Sequence, residues 1–500
     1  MLKDFLLAAS MANLCLIHVW SELLTPIDAS SRFSMRLPAS SLDFLALILN
    51  ELILCLVLWS SIQAGRRLLR CSERFYPLLG VSLLALCIVP ANGIRTRFLS
   101  WRIDILLAAL HKGTGKLALG LLPIVAVPLI ARRYRQITRW TVACVLVLAP
   151  FAGAVAVRAA IAGIGARVAA QPNATAPPVV APRGGDRPKI VWFVFDGMDQ
   201  STSLDGHSEV PMPVLKRLKD EAVYAENARP PAGETRLSLP SYLIGRRVAE
   251  TDRRGDGDLD LLLSGGGTVV WSGASSVFTE SRSLGFTTAL AGWYLPYCRV
   301  IGNQLDYCMS EVYESVVPSG EASLWDRIRL QIFTVDPLNG REQHILRHRR
   351  ILQAAKMLTA DPAYNVIFIH WPVPHYPPVY DATHHRYTRA AYSFTKGYFQ
   401  NLGLVEDSLK EVRQVMEDAG VWNNATLIVT SDHPPTDSGI SDDMRVPFLV
   451  KLAGQKRGVA VAEPVNTVVI AEMCLAILRK QVRNELELAA WLTARSSKED

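Results

Sequence analysis

The sequence predicts a two-part chain: an N-terminal helical transmembrane bundle of about five spans, then an α/β domain with a mainly parallel central sheet. Three observations carry this. Half of the residues are hydrophobic, and the mean hydropathy is +0.18, high for a soluble enzyme. Apolar segments recur at about 5–24, 42–62, 75–91, 117–131 and 140–157, where roughly 17–25 apolar residues make one span. From Lys189 onward, strand-like runs at 190–195, 267–271, 286–291, 365–370 and 426–430 alternate with helix-like stretches such as 210–224 and 397–420, the pattern of a parallel sheet covered by helices.

The first domain is read as 1–158. "LDFLALILNELILCLVLWSSI" is its best span. Pro77, Pro90, Pro123 and Pro128 interrupt the third and fourth segments. Five successive runs argue against a cleavable leader as the explanation of the first. The basic clusters "RRLLRCSER" and "ARRYRQITR" sit between apolar runs, where such clusters act as cytoplasmic retention signals rather than nucleic-acid patches. With the N-terminus inside, an odd number of spans places everything after residue 158 outside the cytoplasm. "FLSWRIDILLAALHK" reads as an amphipathic helix on the membrane surface. Asn50 and Glu51 fall mid-span, and pairing with another helix would offset the expense of burying them in lipid.

Residues 159–188, rich in Ala, Pro and Gly, read as an extended linker. The α/β domain is then 189–500. Cys298 and Cys308 could close a short disulfide loop in an oxidising compartment, or remain two buried thiols.

In open parallel sheets, ligands bind at the carboxyl ends of the strands. Asp196, followed by Gly197, ends "IVWFVFD"; Asp432 and His433 follow "ATLIVTS"; His370 follows "NVIFI". Carboxylates and imidazole together suit one divalent ion, Zn²⁺ or Mn²⁺. Thr235, Arg236, Ser238 and Ser241 lie in "GETRLSLPSYLIG", which reads as a helix start with Thr235 as N-cap. Such a start also suits a bound phosphate. A threonine hydroxyl becomes a nucleophile only beside a metal or a base. His370 and His375 flank a proline-rich stretch, "HWPVPHYPP", that would hold imidazoles in place.

Taken together, these motifs resemble membrane-anchored, sulfatase-like members of the alkaline phosphatase superfamily. The layout is similar to that of phosphoethanolamine transferases and lipoteichoic acid synthases. The resemblance implies an α/β domain of alkaline phosphatase/sulfatase type. It implies Thr235 as nucleophile and Asp196, Asp432 and His433 as metal ligands, with Thr235 beside the metal. It implies His375, and with it His370 and Arg236, as contacts of the substrate phosphate. The implied reaction moves a phosphorylated head group to an envelope lipid or glycan through a phospho-threonine, at the plasma (inner) membrane with the catalytic domain outside. Two departures stand out. Sulfatases need Cys or Ser where this chain has Thr235. The transferases also carry a further histidine after their Asp-His, whereas none follows His433 here, so a second metal lacks its usual ligand and only Asp437, Asp442 or Asp443 could stand in. The rival readings are a phosphodiesterase or phosphatase of the same fold and a non-catalytic membrane-anchored binding domain.

Overall fold

The computed structural model describes residues 1–25, 37–68, 75–97, 132–166, 187–254, 257–312, 316–318, 322–334, 339–390, 392–435 and 440–496. These divide into two compact units. One comprises the described residues of 1–170 together with those of 314–340; the other comprises the remainder.

The first unit is helical. Three helices are long and apolar enough to cross a membrane: Ser41–Leu68, Leu78–Arg95 and Arg132–Gly165. Leu2–Cys15 and Ile17–Leu24 form a pair bent by 65° that could act as a fourth span. The expected five spans therefore reduce to three or four among the described residues. The fourth predicted segment (117–131), the surface helix (98–112) and most of the linker (167–186) lie outside the described residues. The linker also begins later than expected: the Ala149–Gly165 helix runs through its first residues, where alanine is a strong helix former. Asn50 and Glu51 are both buried. Asn13 Nδ2 donates to Glu51 Oε1 at 2.9 Å, and Asn50 Nδ2 donates to Ile328 O at 3.1 Å. The second bond involves a segment that the sequence reading assigned to the α/β domain.

The second unit is built on an eight-stranded sheet. Its strands are β1 (Lys189–Asp196), β2 (Val223–Ala225), β3 (Thr288–Tyr294), β4 (Tyr307–Val312), β5 (Val366–Pro374), β6 (Ala425–Ser431), β7 (Phe448–Lys451) and β8 (Val459–Val461). The spatial order is β8-β2-β7-β6-β1-β5-β3-β4. All neighbouring pairs are parallel except the two that β7 makes. Every residue of β1, β5 and β6 is buried, as expected of central strands covered on both faces. The predicted strand at 267–271 is not in this sheet. Thr268–Val270 instead edges a separate antiparallel sheet with Val248–Arg254 and Asp258–Leu263; a tight turn centred on Ser264 and Gly265, closed by Gly266 N donating to Leu263 O at 2.9 Å, makes it a hairpin strand. Cys298 and Cys308 form a disulfide joining the Tyr297–Ile301 helix to β4.

Candidate active site

The site is assembled at the C-terminal end of β1, where the sheet is cross-tied. Ser431 Oγ donates to Phe195 O at 2.7 Å and accepts from Met198 N at 2.8 Å. Tyr242 Oη donates to Ser431 O at 2.7 Å. Gly197 has a φ of +75°, a left-handed turn that glycine makes without strain. Its N–H donates to Asp432 Oδ1 at 3.1 Å, and His433 N donates to the same oxygen at 2.9 Å. Two backbone donors thus fix Asp432 and leave Oδ2 facing the site.

Asp196 and Asp432 are both fully buried. Their remaining oxygens, Asp196 Oδ1 and Oδ2 and Asp432 Oδ2, meet no hydrogen-bond donor among the described residues, and neither does His370 Nε2. Burial pushes the Asp196 carboxyl well above its usual range and the neighbouring Asp432 charge adds to the push; the nearby Trp293 and Thr235 side chains oppose it in part without closing full hydrogen bonds. Buried, unsatisfied carboxylates this close are costly unless a cation neutralises them. One ligand atom each from Asp196, His370 and Asp432 lie within 4.8 Å of one another. The residues therefore fit a divalent metal ion, with oxygen and imidazole donors that suit Zn²⁺ or Mn²⁺.

His370, expected at the end of the 365–370 run and as a contact of the substrate phosphate, lies within β5, which continues to Pro374; it is paired in register with Val194 of β1 and stands beside the two carboxylates. Its Nδ1 sits 3.0 Å from Trp293 O and 3.0 Å from Tyr297 Oη. A carbonyl can only accept, so Nδ1 carries the hydrogen and Nε2 presents its lone pair to the carboxylates. Nε2 is 3.8 Å from Asp196 Oδ2. Burial lowers the His370 pKa to about 4, despite the opposing pull of Asp432, so the ring is neutral and able to bind a metal near pH 7. The backbone at Gly292 makes room: a Cβ there would lie 2.9 Å from the Tyr297 ring and 3.2 Å from His370 Cβ.

His433 is oriented in the same way. Its Nδ1 donates to Pro434 O at 2.7 Å, which turns the Nε2 lone pair toward Thr235 Oγ1 at 3.1 Å. That nitrogen is 3.7 Å from Asp196 Oδ1 and 3.4 Å from Asp432 Oδ2. Thr235 is buried and opens the Thr235–Ile244 helix. Glu234, not Thr235, is the N-cap, and its side chain makes no capping bond. Thr235 is thus the first helical residue, with its hydroxyl directed at His433, while Leu237 N and Ser238 N donate to Glu234 O at 3.1 and 3.0 Å. Arg236 follows on that turn and pairs with Glu234 at 2.9 Å.

His375 stands further out and is half-buried. Its Nδ1 donates to Tyr376 O at 2.6 Å. Its ring meets the Trp293 ring edge-on at 5.3 Å, and so does that of the buried His344. Asn401, from the Phe394–Asp418 helix, clamps the His375 loop. Its Nδ2 donates to the carbonyls of Pro374, His375 and Pro377, and its Oδ1 accepts from Val379 N. Trp293, Tyr297 and Asn401 escaped sequence reading because only the fold brings them near the motifs. Asp199 does not join the site: it caps the Gln200–Ser203 turn and bonds Thr202 and Tyr398. Asp442 and Asp443 are absent from the three-ligand cluster among the described residues, and Asp443 instead pairs with Arg445 at 2.7 Å. Asp437 lies outside the described residues.

A parallel α/β sheet thus brings buried carboxylates, imidazoles and a helix-opening hydroxyl together at one strand end. The sulfatase family profile matches residues 188–478, more than half of the chain, and the chain belongs to that family; it is a sulfatase-like enzyme. No curated protein matches it. Among solved structures it is similar to a sulfatase from Pseudoalteromonas sp., at 12% identity over 59% of this chain and 69% of that one, with a TM-score of 0.41. It is also similar to the phosphonate monoester hydrolase of Agrobacterium radiobacter, at 13% identity over 59% and 74% with a TM-score of 0.40. A phosphonate monoester hydrolase from Silicibacter pomeroyi matches at 13% identity over 62% and 77%, also with a TM-score of 0.40.

Proposed function

We propose that this enzyme transfers a phosphorylated head group, of phosphoethanolamine or phosphoglycerol type, to an envelope lipid or glycan through a phospho-threonine at Thr235. The observation that carries the reading is the Thr235 hydroxyl, buried on a helix's first turn and 3.1 Å from a lone-pair nitrogen of His433. A sulfatase would need Cys or Ser at this position. Asp196, His370 and Asp432 would hold the metal ion, which when bound supplies positive charge to the phosphoryl oxygens.

His433 Nε2 accepts the hydrogen of Thr235 Oγ1 as that oxygen forms a bond to phosphorus. The bond from phosphorus to the donor's leaving oxygen breaks, and that oxygen takes the proton from His433 Nε2, which is neutral again. In the second step an acceptor hydroxyl gives its proton to His433 Nε2 and bonds to phosphorus, while the bond from phosphorus to Thr235 Oγ1 breaks and that oxygen takes the proton from His433. Arg236, His375 and the helix N-terminus would bind the phosphoryl oxygens in this reading. Hydrolysis is the second reading, favoured by membership of the sulfatase family: water then replaces the acceptor hydroxyl. Incubating the purified chain with a phospholipid donor, with and without candidate acceptors, separates the two by product. Mass spectrometry of the trapped enzyme should place the phosphoryl group on Thr235, and its absence there under turnover would remove the proposal.

The apolar helices of the first unit are consistent with a multi-pass protein of the plasma (inner) membrane that keeps the catalytic domain outside the cytoplasm near its lipid substrate. The Cys298–Cys308 disulfide suits that oxidising location.

A further inference from the structure

Within the first unit, the Leu324–Phe333 helix is built the wrong way round for a protein in water. It starts at Ser323 with a capping box, Asp326 N donating to Ser323 Oγ at 3.2 Å and Ser323 N to Asp326 Oδ2 at 3.0 Å. Its two buried residues are polar: Arg327 is 8% exposed and Gln331 is 0%. Arg327 pairs with the Asp43 carboxylate in the first turn of the Ser41–Leu68 helix. Gln331 Nε2 donates to Asp43 O at 2.9 Å, and Asn50 Nδ2 donates to Gln331 Oε1 at 3.3 Å. Just upstream, Val316 N donates to Glu22 Oε1 at 3.1 Å.

The outward stripe holds the aromatic rings. Trp325, Arg329 and Phe333 are spaced four apart and so share one face; Trp325 is 63% exposed and Phe333 is 52%. In water, the exposed rings forgo apolar burial, while a guanidinium is buried instead. At a bilayer the ordering makes sense: polar groups must be satisfied within the protein, and aromatic rings and arginine settle at the head-group level. Asp43 and Asn50 are seven residues apart, so the helix follows about 10 Å of the span's length from its first turn. That span exposes Leu45, Leu52, Ile53 and Leu56, the surface that lipid covers when it crosses a membrane.

We infer that Leu324–Phe333 is a membrane-interface anchor whose partner is phospholipid. The chain passes to it between β4 and the Asn339–Ala360 helix, fastens its polar face to the end of a span, and seats Trp325, Arg329 and Phe333 among head groups and upper acyl chains. The inference rests on the membrane reading of the first unit. The test uses the full chain in vesicles of phosphatidylethanolamine and phosphatidylglycerol, with the photo-crosslinker p-benzoyl-phenylalanine replacing one residue at a time. Val57, exposed on the Ser41–Leu68 span, reports on the membrane reading, and Leu486, exposed on the α/β unit, sets the background. Expected are mass shifts of one phospholipid per chain at 325 and 333, in a yield comparable with that at 57. Labelling at 57 with only background at 325 and 333 would overturn the anchor and leave the spans standing. Background at all three would overturn both.

Discussion

Tyr297 supports the candidate metal centre without touching the cation, so Tyr297→Phe tests whether His370 is a ligand. The substitution removes one hydroxyl, 3.0 Å from His370 Nδ1. The ring stays, with its edge contacts to Trp271 and Phe368 at 6.2 Å each. Trp293 O, also at 3.0 Å from Nδ1, remains to hold the tautomer. A buried hydrogen bond is worth a net of about 0.5–1.5 kcal/mol, and about 1.4 kcal/mol is a factor of ten in affinity. Loss of an outer partner of a metal-bound histidine typically weakens binding by about 10–100-fold. With one of two partners kept, the expected loss for Zn²⁺ is about tenfold, at the lower end of that range, and the metal-free fold should change by no more than about 1 kcal/mol. The assay is a competition titration of the purified full chain against a fluorescent zinc chelator, with thermal unfolding of both proteins in parallel. An unchanged zinc affinity in Tyr297→Phe would refute the reasoning that His370 Nε2 faces the ion because Nδ1 is held from behind.

Further outcomes follow from the same geometry. Thr235→Ala should abolish turnover with the fold retained, whereas Thr235→Ser should keep measurable activity and lose about 1 kcal/mol of stability with the buried methyl group; equal activity in Thr235→Ala and wild type would remove the nucleophile assignment. His433→Gln should end turnover while zinc content, measured by mass spectrometry of the metal, stays near wild type, whereas His370→Gln should lose the metal; metal loss in both would make His433 a ligand as well. Asn401→Ala leaves three carbonyls and one N–H of the His375 loop without their shared partner, and at about 1 kcal/mol per bond should lower stability by roughly 2–4 kcal/mol, read by denaturant unfolding. His348, between Tyr387 and Ser408, has its pKa lowered by burial to about 3. The unfolded chain therefore binds a proton below about pH 6.5 that the folded chain refuses. Wild type should then lose stability relative to His348→Gln as pH falls from about 6.5 toward 3. A pH-independent difference between the two would contradict this.

The strands of the central sheet were legible because their physics is local. Each of β1, β5 and β6 is a short apolar run ending near a motif, and the structure moves their limits by only a few residues. The hairpin strand at Thr268–Val270 was misplaced because an apolar run does not reveal which sheet it joins. The Leu324–Phe333 segment was assigned to the α/β domain by chain order, yet its buried residues are Arg327 and Gln331. Hydrophobic patterning looks for apolar groups facing inward and therefore misses a helix whose buried residues are polar.

The site shows a deeper limit. The sequence supplied Asp196, Thr235, Asp432 and His433, each beside a strand end or helix start, and these do converge. It could not rank His370 against His433 as a ligand, because that depends on what each ring nitrogen faces in the fold. In both rings a backbone carbonyl decides: Trp293 O for His370 and Pro434 O for His433. Both Nε2 atoms lie near the carboxylates, that of His370 at 3.8 Å from Asp196 Oδ2 and that of His433 at 3.4 Å from Asp432 Oδ2, and that of His433 also meets the Thr235 hydroxyl at 3.1 Å. A carbonyl belongs to every residue and leaves no mark in the sequence. The proposed division of labour, His370 for the cation and His433 for the proton, is tested by substituting each in turn while reading metal content and turnover separately.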